Sequence, residues 1–276
     1  VGPPILQPFY DFFKLCGKET IIPAAASKTT FLMAPLLGLA ALVVLQMFIP
    51  IHGWSAFSGM ADIIVILYLL LIPAMATMMG GAASGSPYAG VGLSREMVTV
   101  ISCELPLVLV LLAIGKAVGG ASVTFSFSQI SNYQLTNGSL ILRPSMIPAA
   151  IAFLMIIPGE TGNHPFDTAE AETEICEGLL AEYSGAPLAV YKLSHSIKMF
   201  TLTSLFTALF LGGIGTGIIL VDGIIVFALS VVITVLTVSL VHAITARLKI
   251  EQVFKYYWTV VSGLALISVV LAWYGL

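Results

Sequence analysis

Fourteen acidic residues are spread through this chain, and seven of them fall between Glu160 and Tyr183: Glu160, Asp167, Glu170, Glu172, Glu174, Glu177 and Glu182. Carboxylates at this density hold a cation, pass protons or cover a polar surface. Clustering and partial burial raise carboxylate pKa values, which is the property a proton relay uses. Asp167 followed by Glu170 has the spacing of a capping box, and acids in a first helical turn suit the helix dipole. Asp167, Glu170, Glu174 and Glu177 then fall at i, i+3, i+7 and i+10, which predicts one helical face with Glu172 off it. Like charges at i, i+4 cost an isolated helix about 0.2–0.5 kcal/mol per pair. The row therefore needs a reason outside its own helix. Two stay open: a solvated loop, or a face lining a polar cavity or interface where some carboxylates remain protonated.

The elements around this stretch are apolar. The chain has 276 residues, of which 58% are hydrophobic and only 9% charged, and its mean hydropathy is +1.04. Soluble domains carry about 25% charged residues, so the composition predicts an all-α, polytopic membrane protein forming a single transmembrane domain over residues 1–276. The net charge of −3 includes no basic patch for nucleic acid. Cys16, Cys103 and Cys176 are scattered without a C-x-x-C, which argues against an iron–sulfur cluster or zinc held by this chain alone.

Residues 1–28 alternate Leu6, Phe9, Tyr10, Phe13 and Leu15 with Asp11, Lys14, Lys18 and Glu19, which predicts an amphipathic helix at the membrane surface. Seven apolar segments follow, at about 31–50, 61–80, 96–115, 144–158, 188–214, 220–245 and 255–275, each near the roughly 20 residues a span needs except the fourth. With residues 1–30 in the cytoplasm, nine basic residues fall on that side: Lys14, Lys18, Lys28, Arg95, Lys192, Lys198, Arg247, Lys249 and Lys255. Only Lys116 and Arg143 fall outside, so the positive-inside rule puts the acidic loop, 159–187, in the cytoplasm. The glycine-rich segment 80–94 is expected to be a loop and lacks the G-K-[ST] ending of a phosphate loop. Thr124–Ser128 alternates like a short strand within the outer loop 116–143. The chain opens on Val1, so a further segment is expected upstream.

Glu104 lies inside the third span, next to Cys103 and two residues before Pro106. A charged side chain at the centre of a membrane helix costs about 2.5–3.5 kcal/mol on insertion scales. It is either a proton carrier or a neutral carboxyl hydrogen-bonded to a neighbouring helix. Asp62 and Asp222 open their spans, where solvated ends or caps are expected. His195 and His242 are taken as structural, and no His/Cys set or Ser/His/Asp arrangement forms a recognisable site.

Glu160-Thr-x-Asn-x-Pro-Phe-Asp-x-x-Glu-Ala-Glu-x-Glu, followed by Gly178 and Glu182-Tyr-Ser-Gly185, resembles the signature of the membrane subunit that joins the two arms of respiratory complex I. The same family includes the membrane anchors of group 4 nickel–iron hydrogenases, formate hydrogenlyase and the archaeal sulfur-reducing complex. The resemblance runs almost end to end: Gly2–Glu19 is similar to the family's interfacial helix, and Gly85–Glu96 and Ala246–Ile250 are closer to the hydrogenase branch. Family members have eight spans, so the eighth would precede Val1. Complex I members typically carry arginine where His164 stands before Pro165-Phe-Asp.

The resemblance implies an all-helical subunit without its own cofactor. Its partners would be hydrogenase-like large and small subunits and an iron–sulfur subunit, which carry iron–sulfur clusters and, in hydrogenases, a nickel–iron centre. Antiporter-like membrane subunits would complete the assembly. Glu160, Asp167, Glu170, Glu172, Glu174, Glu177 and Glu182 would form the acidic path beneath the redox module, with Glu104 and Asp62 in the membrane part. His164, Pro165, Phe166, Tyr183 and Arg95 would face the redox arm. Three functions are weighed: a coupling anchor for H⁺ or Na⁺ translocation, a quinone-binding subunit of a complex I-type dehydrogenase, and a stand-alone ion transporter. The last is disfavoured by the absence of an inverted repeat.

Overall fold

Lipid offers no partner for bare N–H and C=O groups, so an apolar chain closes its backbone hydrogen bonds within helices. The computed structural model describes residues 4, 6–50, 62–120, 122–214 and 217–275, without the side chains of Glu172 and Thr173. Among these residues the elements are α1 (Gln7–Cys16), α2 (Lys28–Phe48), α3 (Ile63–Ser84), α4 (Pro87–Gly119), α5 (Phe127–Asn137), α6 (Ile147–Glu160), α7 (Glu172–Ile175) and α8 (Gly185–Phe210). They are followed by α9 (Ile219–Ile244) and α10 (Ile250–Trp273), each with one π-helical stretch, Val235–Ser239 and Tyr256–Val261. There is no strand among them, only an isolated bridge between Asp62 and Ser126.

Five described helices are long and apolar enough to cross a membrane: α2, α3, α4, α9 and α10. Two of the seven expected spans differ. The apolar helix ending at Glu160 is short, and α8 carries Lys192, His195, Lys198 and a row of hydroxyls. That row is internal. Every residue from Thr201 to Phe210 is buried, and Thr201, Thr203, Ser204 and Thr207 donate their hydroxyls to carbonyls of their own helix. α8 is thus the central helix, with α2, α6 and α9 against it. α1 has no buried residue, and Phe9, Tyr10 and Phe13 are exposed on it.

Segment 80–94 is not a loop. α3 runs to Ser84, Gly85 takes the left-handed conformation (φ 72°) that ends it, and Ser86-Pro87 starts α4. Gly80, Gly81 and Gly92 serve close packing, as small residues do between membrane helices. Segment 124–128 is not a strand either, since α5 begins at Phe127. α4 has 33 residues, about 50 Å at 1.5 Å per residue, longer than the roughly 30 Å of hydrocarbon. Its first turns support the segment that follows α6.

That support depends on Gly92. A Cβ there would lie 3.0 Å from the Ala169 carbonyl oxygen and 3.0 Å from the Leu179 amide nitrogen. Overpacking costs about 1–3 kcal/mol, so Gly92→Val is expected to lower the thermal midpoint of the purified protein by several degrees. Gly90→Val, which meets nothing within 4 Å, is the control. Equal midpoints for the two variants would contradict the contact.

Candidate functional site

The acidic stretch does not form one helical face. Residues 161–171 are turns and coil, α7 spans only Glu172–Ile175, and Cys176 and Glu177 have positive φ values of 50° and 65°. Gly162, Pro165 and Gly178 interrupt any helix here. The expected capping box at Asp167 is also absent, because its carboxylate is engaged elsewhere. Arg247 donates from Nε to Oδ1 at 2.9 Å and from Nη2 to Oδ2, a bidentate pair. Glu174 accepts from Arg95 Nη1 at 2.6 Å, and the same guanidinium reaches the Thr168 carbonyl oxygen at 3.3 Å.

Two of the loop's acids are thereby matched by arginines, and Glu170 is not. Its neighbours are Glu96 on α4, Glu177 and Asp167 in the loop, and Lys192 on α8. Part of Glu170 is surface-accessible, but its carboxyl sits among enough protein atoms to lose hydration. Desolvation first, then repulsion from Glu96, Glu177 and Asp167, pushes its pKa up to about 7, with Lys192 opposing. Near neutral pH this group both takes up and releases a proton.

Glu160 ends α6 and is 6% exposed. Lys198 Nζ of α8 stands 3.6 Å from its Oε2, and both side chains are buried. His195, one turn before Lys198, contacts Asn163 Oδ1 at 3.2 Å. Glu104 is half-buried on α4 and lies within electrostatic reach of Glu160. Glu96 lies within reach of Glu160, Lys198 and Glu170. Tyr257 of α10 is fully buried, donates to the Met155 carbonyl oxygen at 3.1 Å and hydrogen-bonds to Cys103. Its hydroxyl occupies the space that the missing side chain of Gly159 leaves.

A series of carboxyls thus runs from Glu170 through Glu96 to Glu160 and on to Glu104. Asp62 is not part of it. It lies exposed at the start of α3, while Gly80 and Gly81 near the other end of that helix meet Tyr183 and Leu179 of the acidic segment. Glu177 and Glu182 are exposed. Glu172 opens α7, and its side chain lies outside the described atoms. Asp222, expected to be a solvated end, is 2% exposed and accepts the Gly217 N–H at 3.1 Å. Among the described residues no three His, Cys, Asp or Glu side chains gather as a metal site.

A family model described as NADH dehydrogenase matches residues 1–273. The chain belongs to the NADH dehydrogenase family. A membrane-complex relative from Rhizobium rhizogenes, one of the subunits of its NADH-quinone oxidoreductase, is 31% identical over 98% of this chain and 82% of its own length. Hydrogenase-4 component C of Escherichia coli is 36% identical over 76% of this chain and 65% of its own length. A solved chain of the membrane-bound sulfane sulfur reductase, an archaeal respiratory membrane complex, superposes with a TM-score of 0.88 at 29% identity, covering 99% of this chain and 88% of that one.

Within this member of the NADH dehydrogenase family, the residues expected to face a redox arm divide. Pro165, Phe166 and Tyr183 are buried in the subunit. Phe166 packs against the rings of Tyr256 and Tyr257, and Tyr183 stacks on Phe31 at 4.0 Å and donates to its carbonyl oxygen at 3.0 Å. These three are internal anchors of the loop. His164 and Arg95 are half-exposed, and the His164 ring meets the His242 ring at 4.9 Å. Sequence reasoning missed Glu96, Lys198, Arg247 and Tyr257 as site residues. Glu96 had a signal, since it precedes Glu104 by eight residues on one helix. The others come from distant segments, and no spacing announces them.

Proposed function

We propose that this chain is the membrane subunit of a complex I-like assembly, anchoring a hydrogenase-like redox module and coupling its electron transfer to H⁺ or Na⁺ translocation. The supporting observation is the carboxyl series itself. Arginines match the charges of Asp167 and Glu174, while Glu170, Glu96, Glu160 and Glu104 lead from the loop towards the middle of α4. Family membership and the near-full-length likeness to chains of respiratory complexes agree with this role. The chain itself holds no cofactor. Iron–sulfur clusters and a nickel–iron centre would reside in the hydrogenase-like large and small subunits and the iron–sulfur subunit, and ions would move through antiporter-like partners.

In this proposal the chain sits in the cytoplasmic membrane with seven spans, α6 and α8 crossing inside the bundle where neighbouring helices cover their polar and short segments. α1 lies on the bilayer surface with Phe9, Tyr10 and Phe13 towards lipid. The nine basic residues counted above put the acidic loop on the cytoplasmic side. The second reading, a quinone-reducing arm, is favoured by the Rhizobium relative, which belongs to an NADH-quinone oxidoreductase. His164, in place of the arginine typical of complex I members, favours the hydrogenase-like arm.

The test is Glu170→Gln in the assembled complex. Coupled turnover is expected to fall about tenfold, the range of a lost proton-transfer group, while the soluble arm stays bound. The wild-type pH profile should inflect near 7, where Glu170 titrates, and the variant should lose that inflection. The linked effect on stability has a definite sign. The folded-state pKa lies above the ordinary value of 4.5, so the folded loop binds the proton more tightly than the unfolded one. Stability then falls as pH rises from about 4.5 to about 7, and levels off above. Loss of the soluble arm with an unchanged profile would make this face an interface and not a relay.

A further inference from the structure

The acidic loop is held from two sides, and the less expected side is the non-helical strap between α9 and α10. There the Leu248 amide donates to the Pro165 carbonyl oxygen at 3.2 Å, and Arg247 grips Asp167 through both carboxylate oxygens. The neighbouring rings continue the contact, with Phe166 on Tyr256 and Tyr257 of α10 and His164 on His242 of α9. On the opposite side, Arg95 of α4 binds Glu174 and the Thr168 carbonyl, and the Thr99 and Thr168 hydroxyls lie 3.1 Å apart. A bidentate guanidinium–carboxylate pair fixes orientation as well as charge.

We infer that Arg247 is a positioning residue: it holds Asp167 away from Glu170 in charge and in place, so that the strap joining the last two long helices sets the proton affinity of the acidic face. The inference rests on the coupling role proposed above. Its electrostatics can be traced. The groups facing Glu170 are Glu96 from α4, Asp167 and Glu177 from the loop and Lys192 from α8. Arg95 faces Glu174, and Arg247 faces Asp167. Asp167 is the loop carboxylate next to Glu170 whose field Arg247 balances. Movement of α9 against α10 would pull on the strap, free Asp167 and make Glu170 hold its proton more tightly. Helix movement and proton uptake are joined by that one pair.

The experiment uses the intact complex, with deuterium uptake measured over residues 161–171 and the pH midpoint of coupled turnover measured in sealed vesicles. Arg247→Gln should raise uptake severalfold and move the midpoint upward by roughly half a pH unit, the scale of one partly screened charge. Arg247→Lys keeps the charge without the fork, so its midpoint should return close to wild type while uptake stays raised. Asp167→Asn should move the midpoint downward. Because Arg247 acts through Asp167, the double variant should follow Asp167→Asn. Unchanged uptake in Arg247→Gln would overturn the assignment. So would raised uptake with a wild-type midpoint that Glu170→Gln abolishes. A profile that neither Glu170→Gln nor Arg247→Gln moves would instead count against the coupling role, and the exchange data would still decide whether Arg247 holds the loop.

Discussion

Lys198→Met is expected to destabilise the protein by about 3–5 kcal/mol, the cost of leaving one half of a buried ion pair alone. Lys198 and Glu160 are 9% and 6% exposed and face each other at 3.6 Å. A separation of 3.6 Å is wider than a tight hydrogen-bonded pair, so the attraction offsets only part of the desolvation of the two charges. Removing the cation alone strands the carboxylate. Glu160→Gln combined with Lys198→Met removes both charges, and the double variant should recover most of the loss. The check is a double-mutant cycle on the thermal midpoint of the purified complex. Additive losses would mean that the two residues do not act as a pair. Low pH should also relieve the single Lys198→Met variant, since a protonated Glu160 needs no partner.

Glu104→Gln is the second large effect, and it falls on function. Glu104 is half-buried on α4, with Glu160 in electrostatic reach. Glutamine keeps the size and the hydrogen bonds but cannot bind and release a proton. Assembly and stability should therefore stay near wild type. Redox turnover driven by an artificial dye should stay within about twofold, and ion uptake should fall by at least about tenfold, as for a lost proton-transfer group. A neutral structural carboxyl would predict no change in either quantity, because glutamine serves that role equally well.

The helices were legible from hydropathy, and so was the chemistry of the acidic stretch, because carboxylates in an apolar chain have few structural uses. The shape of that stretch was not. Helical spacing suggested a face, but Gly162, Pro165 and Gly178 break it, and Arg247 and Arg95 draw Asp167 and Glu174 in different directions. The segment at 80–94 was misjudged for a related reason. Glycine weakens helices in water, but between membrane helices it permits close approach, and only Gly85 there needs its positive φ. Lys198 and Arg247 entered the orientation count as basic residues on the cytoplasmic side. Their partners lie 38 and 80 residues away, distances at which spacing carries no signal. Asp222 likewise read as a helix end, and its burial depends on the Gly217 turn folding back over it.

The central claim is that the carboxyl series joins redox turnover to ion movement. The most direct test is the number of ions moved per electron by the reconstituted complex in sealed vesicles, compared between wild type and Glu104→Gln at equal redox turnover. The coupling role predicts that the ratio collapses in the variant while dye-driven turnover continues. A ratio equal to wild type, with turnover also unchanged, would contradict it.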